Sequence, residues 1–263
     1  MIRHALFDWD GTLSLLRAGW AEVMTRQWLA VLPSRSGELM PDRERFAQQE
    51  IWALNGKPTI HQMARLVELV TERGGLAHSA GEYNQDFQAR LAAMVDGRIE
   101  QIKRGRSQPD EFMVAGARAF LDALVERGLT LHLASGTEFR FIAAEAKLLN
   151  LYQYFGPRFH GPSGPDDRQF SKRSVIDRIL ADHQVAGEAL VAFGDGHVEI
   201  EQTKAVGGFA IAVCSDEGNW RSGQLDPAKL IRLGQAGADF CTPDFLDAAP
   251  LLDRIFRAPY RRG

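Results

Sequence analysis

The stretch Ala5-Leu6-Phe7-Asp8-Trp9-Asp10-Gly11-Thr12-Leu13 decides how the rest of the chain is read. A short apolar run stops abruptly at Asp-Trp-Asp-Gly-Thr, the pattern of a buried strand entering a tight loop. The same pattern recurs further on. Leu129–Ala134 is a strand running into Ser135-Gly136-Thr137, and Ala189–Phe193 is a strand ending in Gly194-Asp195-Gly196. Gly208–Cys214 and Ala238–Thr242 read as two further strands, and Arg158-Phe159-His160 as a short one. Helical patterns at Ala117–Glu126, Phe139–Leu151 and Ser174–His183 separate them. Strands alternating with helices give βα units and a mainly parallel sheet. Asp216–Leu225, with Gly218 and Gly223, reads as a surface loop.

Between about Arg17 and Arg106 the pattern is different. Trp20, Val23, Met24, Trp28 and Leu32 recur at helical spacing until Pro33. Arg45–Leu54, Ile60–Val70 and Phe87–Ile102 continue the theme, with a break at Asn55-Gly56-Lys57-Pro58-Thr59. The expectation is an α/β protein with a Rossmann-like three-layer core over 1–16 and 107–263. A helical domain over 17–106 is inserted into it, with hinges near Ser14–Arg17 and Arg104–Pro109.

Composition narrows the function classes. The chain has 263 residues, 45% hydrophobic and 25% charged, which is ordinary for a folded globular protein and excludes disordered and collagen-like classes. Net charge is −3, so no basic excess drives binding to nucleic acid or to membrane surfaces. Two cysteines, Cys214 and Cys241, fit neither a disulfide framework nor a zinc or CxxC site, and read as buried free thiols. The start lacks a signal peptide's apolar stretch, and no run is long enough to span a bilayer, so a cytoplasmic protein is expected.

In open parallel sheets, ligands bind beyond the carboxyl ends of the strands. The residues just past the strands are therefore the candidate site: Asp8, Asp10 and Thr12; Ser135, Gly136 and Thr137; Asp195, His197 and Glu199; with Lys172 opening a helix. In this order they resemble the haloacid dehalogenase superfamily. Asp8-Trp9-Asp10-Gly11-Thr12-Leu13 is similar to that family's DxDGT signature, Leu133–Thr137 to its second motif, Lys172 to its third, and Gly194–Glu199 to its fourth, with Glu199 where many members carry Asp.

The resemblance implies phosphoryl transfer to water. Asp8 is the expected nucleophile, forming an aspartyl-phosphate. Asp10 is the expected acid and base for leaving alkoxide and attacking water. Ser135 and Lys172 would hold and neutralise phosphoryl oxygens, with Thr12 and Gly136 beside them. At about 4 Å and an effective dielectric near 20, one like-charge pair costs about 4 kcal/mol, and a phosphate dianion roughly twice that. The implied remedy is Mg²⁺, held by Asp8, the Asp10 carbonyl and Asp195, with Glu199 joining the metal residues through water or by orienting Lys172. The family's carbon-attacking dehalogenases lack the second aspartate, so Asp10 points away from them. Arg17 at the first hinge, and Lys57 and Thr59 in the break within the insert, are the expected specificity residues. The expected partner is a small phosphate ester, a phosphosugar for example, bound by a monomer or homodimer. A phosphomutase and a non-catalytic binding protein on this scaffold remain open. A nucleotide-binding dehydrogenase is disfavoured because no GxGxxG follows the first strand.

Overall fold

The computed structural model describes residues 1–54, 58–164, 167, 170–219 and 221–256. The chain forms two compact units, one of Met1–Ala18 with Gln101–Gly263 and one of Gly19–Glu100. In chain order, strand β1 (His4–Phe7) is followed by helices α1 (Trp20–Val31), α2 (Met40–Ala53), α3 (Thr59–Glu72) and α4 (Ala80–Lys103). Then come α5 (Ala117–Glu126), β2 (Thr130–Ala134), α6 (Phe139–Leu148), α7 (Tyr152–Phe155) and β3 (Phe159–His160). The last elements are α8 (Lys172–Asp182), β4 (Leu190–Gly194), α9 (His197–Ala205), β5 (Phe209–Val213), α10 (Pro227–Gln235), β6 (Phe240–Thr242) and α11 (Ala248–Phe256).

The six strands form one sheet in the order β3-β2-β1-β4-β5-β6, and every pairing is parallel. The apolar runs look continuous in sequence because both faces are covered. Alternate residues go to opposite layers. Ala5 and Phe7 of β1, with Val191 and Phe193 of β4, join Phe120, Leu124, Ile142 and Leu251 on one side. Leu6, Leu190 and Ala192 pack against Val175, Ile176 and Ile179 of α8 on the other. Phe7 stacks on Phe193 at 4.4 Å, and Phe120 on Phe245 at 4.9 Å, giving the first layer an aromatic centre. The order reverses at β1, which has β2 on one side and β4 on the other. This is the switch point where a parallel sheet opens a crevice at its carboxyl edge.

The helical unit has its own core. Met24 and Trp28 of α1, Ile51 of α2, Met63 and Leu66 of α3, and Phe87 and Leu91 of α4 are buried together. Arg73 is buried in it, bonded to Glu38 at 2.7 Å and to the Pro33 carbonyl at 2.9 Å. Trp28 is fully buried, whereas Trp20 is half-buried and meets Trp52 edge-on.

Several boundaries differ from the expectation. The helix expected over Phe139–Leu151 ends at Leu148, and Asn150, in a left-handed conformation (φ 55°), separates it from the short α7 that follows. Helix α2 begins at Met40 rather than Arg45, with Pro41 in its first turn where the missing N–H costs nothing. Helix α4 begins at Ala80, and α10 and α11 are additions to the expected helices. Cys214 is buried, but Cys241 is only half-buried.

His132, buried beneath the sheet, has its pKa held down to about 3, by burial first and then by His4, His183, Arg158 and His160. Unfolded histidine titrates near pH 6.5. The unfolded chain therefore takes up a proton that the folded one refuses. The resulting stability is present above pH 6.5 and is lost as pH falls toward 3. In metal-free buffer, the fall in Tm between pH 7 and 4.5 should be smaller for His132→Asn than for the unmodified protein. Equal slopes would show that this ring does not set the acid limit.

Candidate active site

The site is built at the carboxyl edge around the end of β1. The Asp8 N–H donates to the Phe193 carbonyl at 2.9 Å, extending the β1–β4 ladder by one residue and fixing where its side chain emerges. The chain then turns sharply. The Trp9 carbonyl accepts from Leu13 and Ser14 N–H groups, and Gly11 sits at φ +70°. A methyl group at Gly11 would overlap the Asp195 carboxylate, so glycine is required there both for its backbone and for the space. Trp9 is fully buried, and its Nε1–H donates to Glu145 Oε2 at 3.0 Å.

Two lysines bridge the acidic groups in pairs. Lys172, the first residue of α8, has Nζ 2.8 Å from Asp8 Oδ1 and 2.9 Å from Glu199 Oε2. The other oxygen of Glu199 accepts from the Gly196 N–H at 2.7 Å. Lys229, in the first turn of α10, has Nζ 3.0 Å from Asp195 Oδ2 and 2.6 Å from Glu217 Oε1. A third group lies around Asp10. Thr137 Oγ1–H donates to Asp10 Oδ2 at 2.9 Å, and Arg17 Nη1 lies 3.4 Å from Oδ1. The same Arg17 nitrogen is 2.6 Å from Glu145. Ser135 is buried just past β2, and its hydroxyl accepts from the Thr137 N–H at 3.1 Å.

Burial and crowding set the electrostatics. Asp8 is pushed well above the usual carboxylate range by burial and by the charges of Glu199 and Asp195, against the pull of Lys172. Asp195 is also raised, by burial and by Glu217 and Glu199, although Lys229 opposes the shift. Burial works against the charge of both lysines, yet their paired carboxylates hold each pKa above the ordinary lysine value. Glu199 goes the other way. Burial would raise it, but Lys172 and the Gly196 N–H bring it below its usual value.

Asp8, Asp195 and Glu199 each offer an oxygen within 4.8 Å of the others. The donors are all oxygens, which suits a hard divalent cation. Four carboxylates, of Asp8, Glu199, Asp195 and Glu217, share two ammonium groups, so a further cation fits these residues.

Of the other expected residues, Thr12 is fully buried and its hydroxyl has no hydrogen-bond partner among the described residues. Gly136 is exposed in the turn after β2. Arg17 is turned inward to Asp10 and Glu145. Thr59 opens α3 in the helical unit, and Lys57 lies outside the described residues. Sequence reasoning misses Lys229, Glu217 and Glu145, which carry no local signal. It reaches Thr137 only through its place after Ser135 at a strand end.

The sequence profile of the haloacid dehalogenase-like hydrolases matches residues 2–207, and the chain belongs to that family. No curated protein matches it. Among solved structures, a conserved haloacid dehalogenase-like protein of unknown function from Agrobacterium tumefaciens aligns with a TM-score of 0.66 at 15% identity, covering 97% of this chain and 99% of that one. A predicted phosphoglycolate phosphatase from Haemophilus somnus aligns at 0.62 and 15% identity, covering 95% and 98%. A beta-phosphoglucomutase from Clostridium difficile aligns at 0.60 and 10% identity, covering 97% of each chain. At these identities the likeness concerns the fold.

Lys229→Ala should leave Asp195 and Glu217 without their shared cation and cost about 3 kcal/mol of stability, as for other broken buried pairs. Urea unfolding measures this, and a loss under about 1 kcal/mol would mean that another group compensates Asp195.

Proposed function

We propose that this hydrolase is a Mg²⁺-dependent phosphatase acting on a small phosphorylated metabolite, with phosphosugars the first class to screen. The observation that carries this reading is the placement of Asp8 against Lys172, with Asp10 two residues on in the same turn. An Asp8 carboxylate oxygen attacks phosphorus, and the bond to the ester oxygen breaks. Asp10 gives its proton to the departing alkoxide. Water then attacks the phosphorus of the aspartyl-phosphate, Asp10 takes the proton, and Asp8 is released with inorganic phosphate. Lys172 keeps its proton throughout and stays beside the charge that grows on the phosphoryl oxygens. Ser135 and the amides of the turn after β2 are assigned to those same oxygens. Arg17 and Thr137 hold the Asp10 carboxyl at its two oxygens, which makes Arg17 a positioning residue in this reading.

Asp8, Asp195 and the Asp10 carbonyl would hold Mg²⁺, with Glu199 supporting through Lys172 or directly. When bound there, the ion supplies the positive charge that lets a phosphate dianion approach Asp8.

A phosphate-release screen across phosphorylated metabolites with Mg²⁺ tests the reading. Asp8→Asn should abolish turnover at unchanged fold, and Asp10→Asn should lower kcat by about 10²–10⁴. Full activity in Asp8→Asn would remove it as nucleophile. Phosphate retained in an isomeric product, dependent on a bisphosphate, would make the protein a mutase.

A further inference from the structure

Below the sheet, away from the acidic edge, three histidines converge. His4 opens β1, His132 lies in β2, and His183 caps the carboxyl end of α8. One ring nitrogen from each lies within 4.8 Å of the others. His4 and His132 are buried, and His183 is exposed. The cluster is separate from the carboxylates. His4 precedes Asp8 by four residues, about 13 Å along a strand, and His183 is the far end of an α8 that begins at Lys172, about 16 Å away.

We propose that His4, His132 and His183 form a second metal site, for a borderline transition-metal dication of the Zn²⁺ type. Two features of the cluster support it. First, His4 Nδ1 and His132 Nε2 are 3.3 Å apart. That is longer than the usual N–H hydrogen bond of about 2.9–3.0 Å. It equals the separation of roughly 3.3 Å that two nitrogens take at opposite ends of a tetrahedral angle with bonds of about 2.0–2.1 Å. Second, the exposed His183 ring closes the third side of the cluster, with its centroid 4.3 Å from that of His4 and 5.7 Å from that of His132. A dication accepting lone pairs offsets the cost of burying such rings.

Three imidazoles and no carboxylate select Zn²⁺, Co²⁺, Ni²⁺ or Cu²⁺ over Mg²⁺. With three protein ligands, a further coordination position would take water. A bound ion would tie β1 and β2 to the end of α8. It would therefore stabilise the folded protein in proportion to the logarithm of its concentration.

The test uses the whole protein, stripped of metal and then held in excess Mg²⁺ so that the oxygen cluster stays occupied by a hard ion. Zn²⁺ is titrated calorimetrically, and Co²⁺ is followed by visible absorption. The expected result is one Zn²⁺ bound per chain, a Tm that rises with Zn²⁺, and intense Co²⁺ bands of a four- or five-coordinate nitrogen site. His183→Ala, an exposed change, should weaken Zn²⁺ binding by more than about tenfold and dim those bands. His132→Asn should do the same, and the Mg²⁺ response should be unchanged in both. Absence of Zn²⁺ binding under excess Mg²⁺, or equal binding by His183→Ala, would overturn the proposal. So would Zn²⁺ binding that is lost in Asp195→Asn but kept in His183→Ala.

Discussion

Everything at the carboxyl edge depends on carboxylates crowded together out of water and held by too few cations. Asp8, Asp195 and Glu199 meet within 4.8 Å, and burial alone would push all three toward the neutral form. Lys172 and Lys229 oppose that push, and it is at Glu199 that the opposition prevails. Each is buried and would itself prefer to lose its charge, and each keeps it only because two carboxylates sit within ionic reach. Acids and lysines therefore sustain one another, and a change at any one alters the protonation of the rest. The arrangement is strained in charge but not in geometry, which suits a site that receives a further cation and an anionic substrate together.

The sheet makes this crowding possible. Asp8 follows β1 and Asp195 follows β4, and these two strands are neighbours although most of the chain separates them in sequence. The Asp8 N–H is still part of the ladder, so the acid is positioned by backbone bonds rather than by its own contacts. Beneath it, Phe7 stacks on Phe193, near the point where each strand leaves the sheet. The rigid aromatic layer and the acidic edge are thus two consequences of one register.

Much of this was legible because strand and loop signals are local. The apolar run ending at Asp8, and those ending at Ser135 and Asp195, each encode within a few residues both a strand and the loop beyond it. The helical character of 20–100 was equally plain from spacing. The partners that keep the site charged were not. Lys229 lies beyond a loop that reads as surface, and only the packing of α10 returns it to Asp195. Glu145 looks like a solvent-facing acid on an amphipathic helix, yet it is buried and takes hydrogen bonds from both Trp9 and Arg17. The three histidines are scattered through the sequence and share no motif. Their meeting depends on the register between β1 and β2 and on where α8 stops. Long-range pairing of single polar residues leaves no periodic trace.

Glu199 illustrates how one side chain dictates its neighbours. It is the third residue of α9, and it folds back so that one oxygen takes the Gly196 N–H and the other takes Lys172. That return path runs over the Gly194–Gly196 backbone. A methyl group at Gly194 would collide with the Glu199 side chain, and one at Gly196 would come within 2.9 Å of its Oε1. The two glycines flanking Asp195 are therefore accounted for by the glutamate, without appeal to left-handed backbone at either position. An aspartate at 199 has one methylene fewer. From the same helical position it could serve the N–H of the helix start or reach toward Lys172, but the span covered by the two oxygens would shrink. The longer acid keeps Lys172 bridged between Asp8 and α9, so the helix start and the ammonium beside Asp8 are fixed by the same side chain.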